Sequence, residues 1–137
     1  IALDADGDIW GSDYSGVTSV TVPTMIFGST GDTSNVPEHS SIPIYAHLGS
    51  TVKTHVVFEN AEHAVSNNSC TVVPWLGDLY FYYCADPVWD KDRAHDLVTH
   101  FTTAFLLDIL TGDVDAHAAL AAAAVSFPGI TYEAQGF

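Results

Sequence analysis

An acidic residue and a histidine, each placed just after an apolar run, form the pair in this sequence best suited to chemistry. Asp32 follows the run 22–28, and His63 follows the run 56–58. If these runs are neighbouring parallel strands, their carboxyl ends meet at one edge of a sheet and bring the two side chains together. A carboxylate that orients an imidazole allows the histidine to act as a general base toward a hydroxyl nucleophile.

Two strands and a connecting helix are the elements predicted to position this pair. Apolar and β-branched residues predict strands over about 21–27 and 54–59. A helix capped by Ser40 or Ser41 and ending near Leu48 is predicted between them. Strand, helix and strand in this order form a parallel βαβ unit.

The residues on either side of this unit predict one more strand and two more helices. Residues 1–3 are typical of the end of a strand. A long helix is predicted over about 90–110, because apolar residues recur there at helical spacing and form a stripe that can pack on a sheet. Gly112 is predicted to end this helix, and a shorter alanine-rich helix and an extended tail follow it.

The composition is typical of a folded globular protein, with 47% hydrophobic and 15% charged residues. The length allows one domain, 1–137. Three basic residues against 17 acidic ones give a net charge of −14, which repels nucleic acids and anionic membrane surfaces. We also expect no membrane span, because the apolar stretch 116–125 is short and His117 interrupts it.

Two cysteines, Cys70 and Cys84, bound a segment rich in aromatic residues. A disulfide between them would close a loop of about 15 residues and stabilise the fold by about 3 kcal/mol in the chain-entropy model. The alternative is a pair of free, buried thiols. If the disulfide forms, we expect the protein in an oxidising compartment, outside the cell.

The acidic residues Asp4, Asp6 and Asp8 place oxygen donors at alternate positions, like the start of a calcium loop. An EF-hand needs glycine at its sixth position and glutamate at its twelfth, where this sequence has Ile9 and Ser15. A solvated acidic turn is therefore favoured over a calcium site. Six further histidines show no pairing at the spacing of zinc ligands: His39, His47, His55, His95, His100 and His117. We expect neither a metal nor a cofactor.

Part of the sequence resembles a known enzyme family. The matching residues are the run 20–27, Asp32, Pro37, the segment 40–45 and His63. They closely resemble the C-terminal half of bacterial polyester hydrolases. These are the cutinase-like and poly(ethylene terephthalate)-hydrolase-like members of the dienelactone hydrolase and platelet-activating-factor acetylhydrolase branch of the α/β-hydrolases. The resemblance is densest from Trp10 to His63, and beyond Cys70 the chain looks more like the general dienelactone-hydrolase-like esterases.

This resemblance implies an α/β-hydrolase fold, a parallel sheet flanked by helices, of which this chain is the C-terminal portion. By this resemblance Asp32 would fix the tautomer of His63. His63 would then serve as general base for the attack by a serine and as general acid for the leaving alcohol. No Gly-x-Ser-x-Gly motif occurs in the 137 residues. We therefore expect the serine and the oxyanion hole in a second chain or an N-terminal segment. Asp13 and Glu38 are weaker candidates for the acid.

The resemblance also implies a substrate cleft flanked by Trp10, Val36 and Ala64. The ring of Trp10 would stack on an aromatic ester or cover an acyl chain, or it would instead bury a loop against the sheet. The implied activity is that of a secreted serine esterase. Its substrates would be hydrophobic, from lipid esters to polyesters.

Other functions remain open. A lipase or acetylhydrolase acting on lipid esters would use the segment 70–84 as a lid or a rim. A non-catalytic subunit derived from a hydrolase would be marked by a partner chain that lacks the serine, or by Asp32 and His63 lying too far apart to form a hydrogen bond. A calcium-dependent adhesion module would need a metal at the acidic residues near the N-terminus.

Overall fold

The apolar runs of the sequence form the strands of a mostly parallel sheet. The structure is a computed structural model and describes residues 1–3 and 14–137. The strands of the described residues lie in chain order: β1 (Ala2–Leu3), β2 (Thr24–Ser29), β3 (Lys53–Phe58) and β4 (Ile130–Gln135). Strands β1, β2 and β3 are parallel, whereas β4 pairs with β3 in the antiparallel direction.

The helices lie between the strands in sequence. They are α1 (Ser15–Thr18), α2 (Ser41–His47), α3 (Pro74–Tyr80), α4 (Lys91–Thr111) and α5 (Val114–Ala119), with short 3₁₀ helices at Pro37–His39 and Phe81–Tyr83. The long helix α4 begins where the Asp90 carboxylate accepts the Arg93 N–H. It ends at Gly112, which adopts a left-handed conformation with φ of 68°. No helix in the described ranges is long and apolar enough to cross a membrane.

Helices cover both faces of the sheet. On one face Phe27 and Phe58 pack in a cluster with Phe101 and Phe105 of α4. On the other face a smaller cluster joins β2 to α1 and α2 and consists of Val17, Ile26, Ile44 and Leu48. This arrangement confirms the predicted α/β class, with a parallel βαβ unit formed by β2, α2 and β3.

The start of β2 differs from the sequence prediction. The first ladder residue is Thr24, whose N–H donates to the carbonyl of Val52 at 3.0 Å, and not residue 21. Pro23 explains the shift, because proline has no N–H to donate to a neighbouring strand. Strand β3 correspondingly begins at Lys53, one step earlier than predicted.

The cap predicted for α2 is also different. Ser40 occupies the N-cap position, but its side chain makes no capping hydrogen bond. Its hydroxyl donates instead to the carbonyls of Asn35 and Val36, at 2.9 and 2.8 Å. The serine therefore stabilises the turn before the helix and not the first turn of the helix itself.

The predicted extended tail is a strand, β4. Tyr132 and Ile130 face the same side of the sheet as Val56 and Phe58, their register partners, and contact the main core. The exposed Thr131 and Glu133 alternate with them. This two-residue periodicity is that of a strand with one buried face.

Candidate active site

Asp32 and His63 meet at the carboxyl edge of the parallel strands. Asp32 lies in the turn after β2, and His63 lies in the turn after β3. The Nδ1 atom of His63 is 2.8 Å from Oδ2 of Asp32. An ionised carboxylate only accepts hydrogen bonds, so the imidazole donates from Nδ1. That assignment leaves Nε2 as the ring nitrogen able to accept a proton.

The two partners differ sharply in exposure. The side chain of Asp32 is only 1% exposed, whereas that of His63 is 44% exposed. The second carboxylate oxygen of Asp32, Oδ1, accepts the N–H groups of Ser34 and Asn35, each at 2.8 Å. A buried carboxylate with three hydrogen bonds has a fixed position. The imidazole is thus oriented from its buried side and accessible from the other.

A close approach between two loops sets the separation of this pair. The Gly31 N–H donates to the carbonyl of Ala61 at 2.9 Å. A Cβ atom at Gly31 would lie 2.7 Å from that same carbonyl oxygen, so only glycine allows the loops to come this near. Next to this contact, Asn60 adopts φ of 59° and donates its N–H to the hydroxyl of Thr30 at 2.6 Å.

A second carboxylate, Asp86, holds the residue before the histidine. Its Oδ2 atom accepts the Glu62 N–H at 2.8 Å. Its Oδ1 atom accepts the N–H groups of Val88 and Trp89, at 2.9 and 2.7 Å. Asp86 therefore joins the His63 turn to the loop that leads into α4.

A buried lysine holds the residues after the histidine. The ammonium of Lys91 donates to the carbonyls of Ala64 and Val65, the latter at 3.0 Å. Because Lys91 is only 7% exposed, these two carbonyls accept hydrogen bonds from a buried ammonium group and not from water. Neither Lys91 nor Asp86 was predicted from the sequence. Their partners are backbone groups that lie far away in the sequence. The pair Asp86-Pro87 is typical of a turn, but the sequence does not indicate which backbone groups the carboxylate contacts.

A surface depression of about 470 Å³ lies beside His63. Its lining residues are Thr33, Ser34, Glu62, His63, Ala64, Tyr82, Tyr83, Ala85 and Pro87. Ala64, predicted to flank the cleft, is thus brought next to His63. Val36 is not among these lining residues and lies exposed before the 3₁₀ helix. Trp10 lies outside the described residues.

The predicted disulfide between Cys70 and Cys84 is confirmed, with an S–S distance of 2.04 Å, and the free-thiol alternative is wrong. The bridge encloses α3 and the second 3₁₀ helix. The Cys70 N–H donates to the carbonyl of Cys84 at 3.0 Å, and the Asn67 amide donates to the carbonyl of Tyr83 at 3.2 Å. These contacts bring the segment 70–84 to the rim of the depression.

The described residues contain no group of three or more histidine, cysteine or acidic side chains that could hold a metal. Asp4, Asp6 and Asp8, the candidate calcium ligands, lie outside the described residues, and so does Asp13. A second acid–histidine contact joins α5 to α4, where Nδ1 of His117 lies 3.2 Å from Oδ2 of Asp108. The Asp32–His63 pair differs from it in lying at the carboxyl edge of the parallel strands and in having the more deeply buried acid.

A different histidine, His55, is buried on the face of the sheet that packs against α2, opposite the main core with α4. Its ring stacks on Tyr45 with 5.3 Å between centroids. Burial lowers the pKa of His55 to about 4, because the imidazolium would lose its hydration. Its Nε2 atom and the hydroxyl of Ser41 have no hydrogen-bond partner in the protein, and both lie next to Gly28. His55 therefore stays neutral in the folded protein over most of the pH range.

Comparison with known proteins assigns the family. The family model described as PETase, PET hydrolase-like, matches residues 9–81, which is more than half of the chain. The chain belongs to the PET hydrolase-like family. Its α/β-hydrolase fold is the one predicted, and membership assigns the chain to the polyester and ester type of hydrolase. Asp32 and His63 both lie inside the matched region of this PET hydrolase-like chain, whereas α4, α5 and β4 follow it. A search of curated protein sequences finds no match.

Proposed function

We propose that this chain supplies the acid and the base of a secreted serine ester hydrolase. The observation that carries the proposal is the 2.8 Å hydrogen bond from the half-exposed imidazole of His63 to the buried carboxylate of Asp32. Membership of a family of ester hydrolases supports the same interpretation.

In the proposed acylation step, a serine hydroxyl attacks the ester carbonyl and gives its proton to Nε2 of His63. The carbonyl becomes a tetrahedral oxyanion, and Asp32 stays ionised and stabilises the imidazolium. The oxyanion then collapses, the bond to the alcohol oxygen breaks, and the alcohol leaves with the proton from Nε2. The products of this step are the free alcohol and the acyl-serine.

Deacylation uses the same two side chains. Water gives a proton to Nε2 of His63 as its oxygen bonds to the acyl carbon, forming a second oxyanion. When that intermediate collapses, the serine oxygen leaves and takes the proton back from Nε2. The carboxylic acid departs, and the serine, the neutral imidazole and the carboxylate of Asp32 are restored.

The serine belongs, in this proposal, to a second chain or an N-terminal segment, together with the oxyanion hole. The support is the lack of a Gly-x-Ser-x-Gly motif in these 137 residues. The two-residue strand β1 offers the edge for further strands.

The disulfide and the charge support secretion. A structural bridge such as that between Cys70 and Cys84 persists in oxidising compartments and is rare in the cytosol. A net charge of −14 also favours solubility, because copies of the protein repel one another.

The test is labelling of the intact protein with a fluorophosphonate, followed by mass spectrometry. The reagent bonds covalently to a serine activated by a histidine. We expect one label on a serine outside these 137 residues, and loss of labelling in the His63→Ala variant. Full labelling in that variant, or no labelling of the unmodified protein, would contradict the proposal.

A further inference from the structure

A carboxylate enters the depression beside the acid–histidine pair. Glu62, the residue directly before His63, lines this depression and is partly buried. In the described ranges no basic side chain forms an ion pair with it. Its backbone N–H is held by the carboxylate of Asp86 at 2.8 Å, which fixes the point from which the side chain extends. The Glu62 carboxylate is therefore available to a charged group of a bound molecule.

Two tyrosine rings, those of Tyr82 and Tyr83, line the same depression. The ring of Tyr83 contacts that of Tyr80, with 5.9 Å between centroids and nearly perpendicular planes. The ring of Tyr82 contacts that of Phe81 in the same way, at 6.4 Å. The face of an aromatic ring attracts cations, and quaternary ammonium groups are recognised by such rings. A carboxylate together with tyrosine rings is thus the set of groups that binds an alkylated ammonium ion.

None of the three lysine and arginine residues of the sequence lines the depression. The ammonium of Lys53 donates to two backbone carbonyls at the end of α2. The ammonium of Lys91 donates to two carbonyls that follow His63. The guanidinium of Arg93 donates to the carbonyl of Pro128 at 2.6 Å. An anionic substrate would therefore meet no lysine or arginine of this chain in the depression.

The charges around the histidine turn are mostly negative. Asp32 bonds to the imidazole, Asp86 bonds to the turn, and Glu62 belongs to the turn itself. Lys91 supplies the one ammonium that contacts the turn in the part of the chain that the structure describes. Three formal negative charges against one positive charge leave the surroundings of a neutral His63 anionic. The net charge of −14 has the same sign, so the field of the chain attracts cations to the depression and repels anions.

We propose that the site prefers esters whose alcohol part carries an alkylated ammonium group, and that Glu62 sets this preference. The inference rests on the proposed ester hydrolase function and names a class of substrate for it. In that mechanism Nε2 of His63 gives its proton to the leaving alcohol, so the alcohol part lies beside the imidazole and next to the depression that Glu62 lines. The ammonium group takes no part in making or breaking bonds. Acylation releases it unchanged, as part of the free alcohol.

The experiment measures kcat/KM of the intact enzyme for three dissolved acetate esters of similar size. Acetylcholine carries a quaternary ammonium group, neohexyl acetate has the same shape with carbon in place of nitrogen, and the acetate ester of γ-hydroxybutyrate is an anion. The unmodified enzyme is compared with Glu62→Gln and with Glu133→Gln. Glu133 is the matched control, because it is an exposed glutamate on β4 that does not line the depression. Both variants change the net charge of the chain by the same amount.

We expect the unmodified enzyme to have a kcat/KM about tenfold higher for acetylcholine than for neohexyl acetate, from the carboxylate and the tyrosine rings together. The anionic ester should be the poorest substrate. Glu62→Gln should lower the ratio of acetylcholine to neohexyl acetate by about fivefold, whereas Glu133→Gln should leave this ratio unchanged. The preference of the unmodified enzyme should weaken in about 1 M NaCl, because salt screens the charges.

Equal kcat/KM of the unmodified enzyme for acetylcholine and neohexyl acetate would overturn the inference. So would the same ratio in Glu62→Gln as in the unmodified enzyme. An equal fall of the ratio in Glu62→Gln and Glu133→Gln would also overturn it, because the preference would then come from the net charge and not from Glu62. The uncharged ester separates the two proposals. Hydrolysis of neohexyl acetate supports the hydrolase function whatever the charge preference, and inactivity toward all three esters refutes that function itself.

Discussion

The carboxylate of Asp86 accepts the backbone N–H of Glu62, the residue directly before His63, at 2.8 Å. Asp86 follows Cys84 closely in sequence, so this bond connects the disulfide-closed segment to the turn that carries the histidine. The other oxygen of Asp86 fixes the backbone of Val88 and Trp89. One side chain therefore positions the histidine turn relative to both the segment 70–84 and α4.

The Asp86→Asn variant tests this positioning role. An amide has one oxygen acceptor, so either the Glu62 N–H or the pair from Val88 and Trp89 would lose its partner. These donors are part-buried or exposed, so the cost is at the low end of the range for unpaired donors, about 1 kcal/mol. We expect kcat on a dissolved ester to fall about tenfold with little change in KM, and amide exchange at Glu62 to accelerate.

The exposed Asp92, in the first turn of α4, provides the matched control for that variant. Asp92→Asn should leave kcat, KM and exchange at Glu62 unchanged. If Asp86→Asn lowers stability but leaves kcat and the Glu62 exchange rate as they are, Asp86 does not position the histidine.

Gly31→Ala should destabilise the loops that carry the acid and the base. Its Cβ would lie 2.7 Å from the carbonyl oxygen of Ala61, a backbone atom that cannot turn aside. Forced separation of packed groups costs about 1–3 kcal/mol, and we expect this loss in the free energy of unfolding measured with urea. Activity should fall further, since the separation of Asp32 and His63 depends on this contact.

A second glycine serves as the comparison. Gly112 has φ of 68°, but a Cβ added there would meet no neighbouring atom within 4 Å. A side chain at this position is therefore strained only by the left-handed backbone conformation. Gly112→Asn should cost less than about 1 kcal/mol, because asparagine tolerates the left-handed region. Equal stability of Gly31→Ala and the unmodified protein would show that the loops can separate freely.

Stability should fall as the pH drops from about 6.5 to about 4, because of His55. Its folded pKa of about 4 lies below the ordinary value of 6.5, so the unfolded state binds more protons in this window. The stabilising effect of neutral His55 is complete above 6.5 and disappears as the pH falls toward 4. The lost free energy of unfolding is about 3 kcal/mol, from 1.36 kcal/mol per pKa unit.

Urea unfolding at a series of pH values measures this dependence. The His55→Phe variant keeps an aromatic ring to stack on Tyr45 and removes the titrating group. Between pH 6.5 and 4, the free energy of unfolding of this variant should fall by about 3 kcal/mol less than that of the unmodified protein. An unchanged slope in the variant would assign the acid sensitivity to other groups.

The sequence predicted the acid and the histidine because both follow strongly apolar runs. Strands β2 and β3 are buried on both faces, and such strands are continuous in hydrophobicity and easy to recognise. Their boundaries were less well predicted, since a ladder begins where backbone groups pair. Pro23 could have indicated this, because it cannot donate to a neighbouring strand.

The other contacts of the site join residues that are far apart in the sequence, so no local pattern predicts them. Asp86 and Lys91 act on backbone groups of the histidine turn, and any carboxylate or ammonium in a loop has the same local appearance. The alternation of apolar and polar residues in β4 is visible in the sequence, but its antiparallel pairing with β3 is not. The role of Val36 in the cleft stays a prediction, since Val36 is not among the residues that line the depression beside His63.

The most direct test of the account is the kcat of the His63→Ala variant on a dissolved p-nitrophenyl ester, measured in the intact enzyme. His47→Ala is the control, because His47 is also exposed but lies at the end of α2. General acid–base catalysis contributes about 10²–10⁴-fold. We predict that kcat falls by at least about a hundredfold in His63→Ala, with the fold retained, and stays within twofold in His47→Ala. A folded His63→Ala variant with the kcat of the unmodified enzyme would contradict the account.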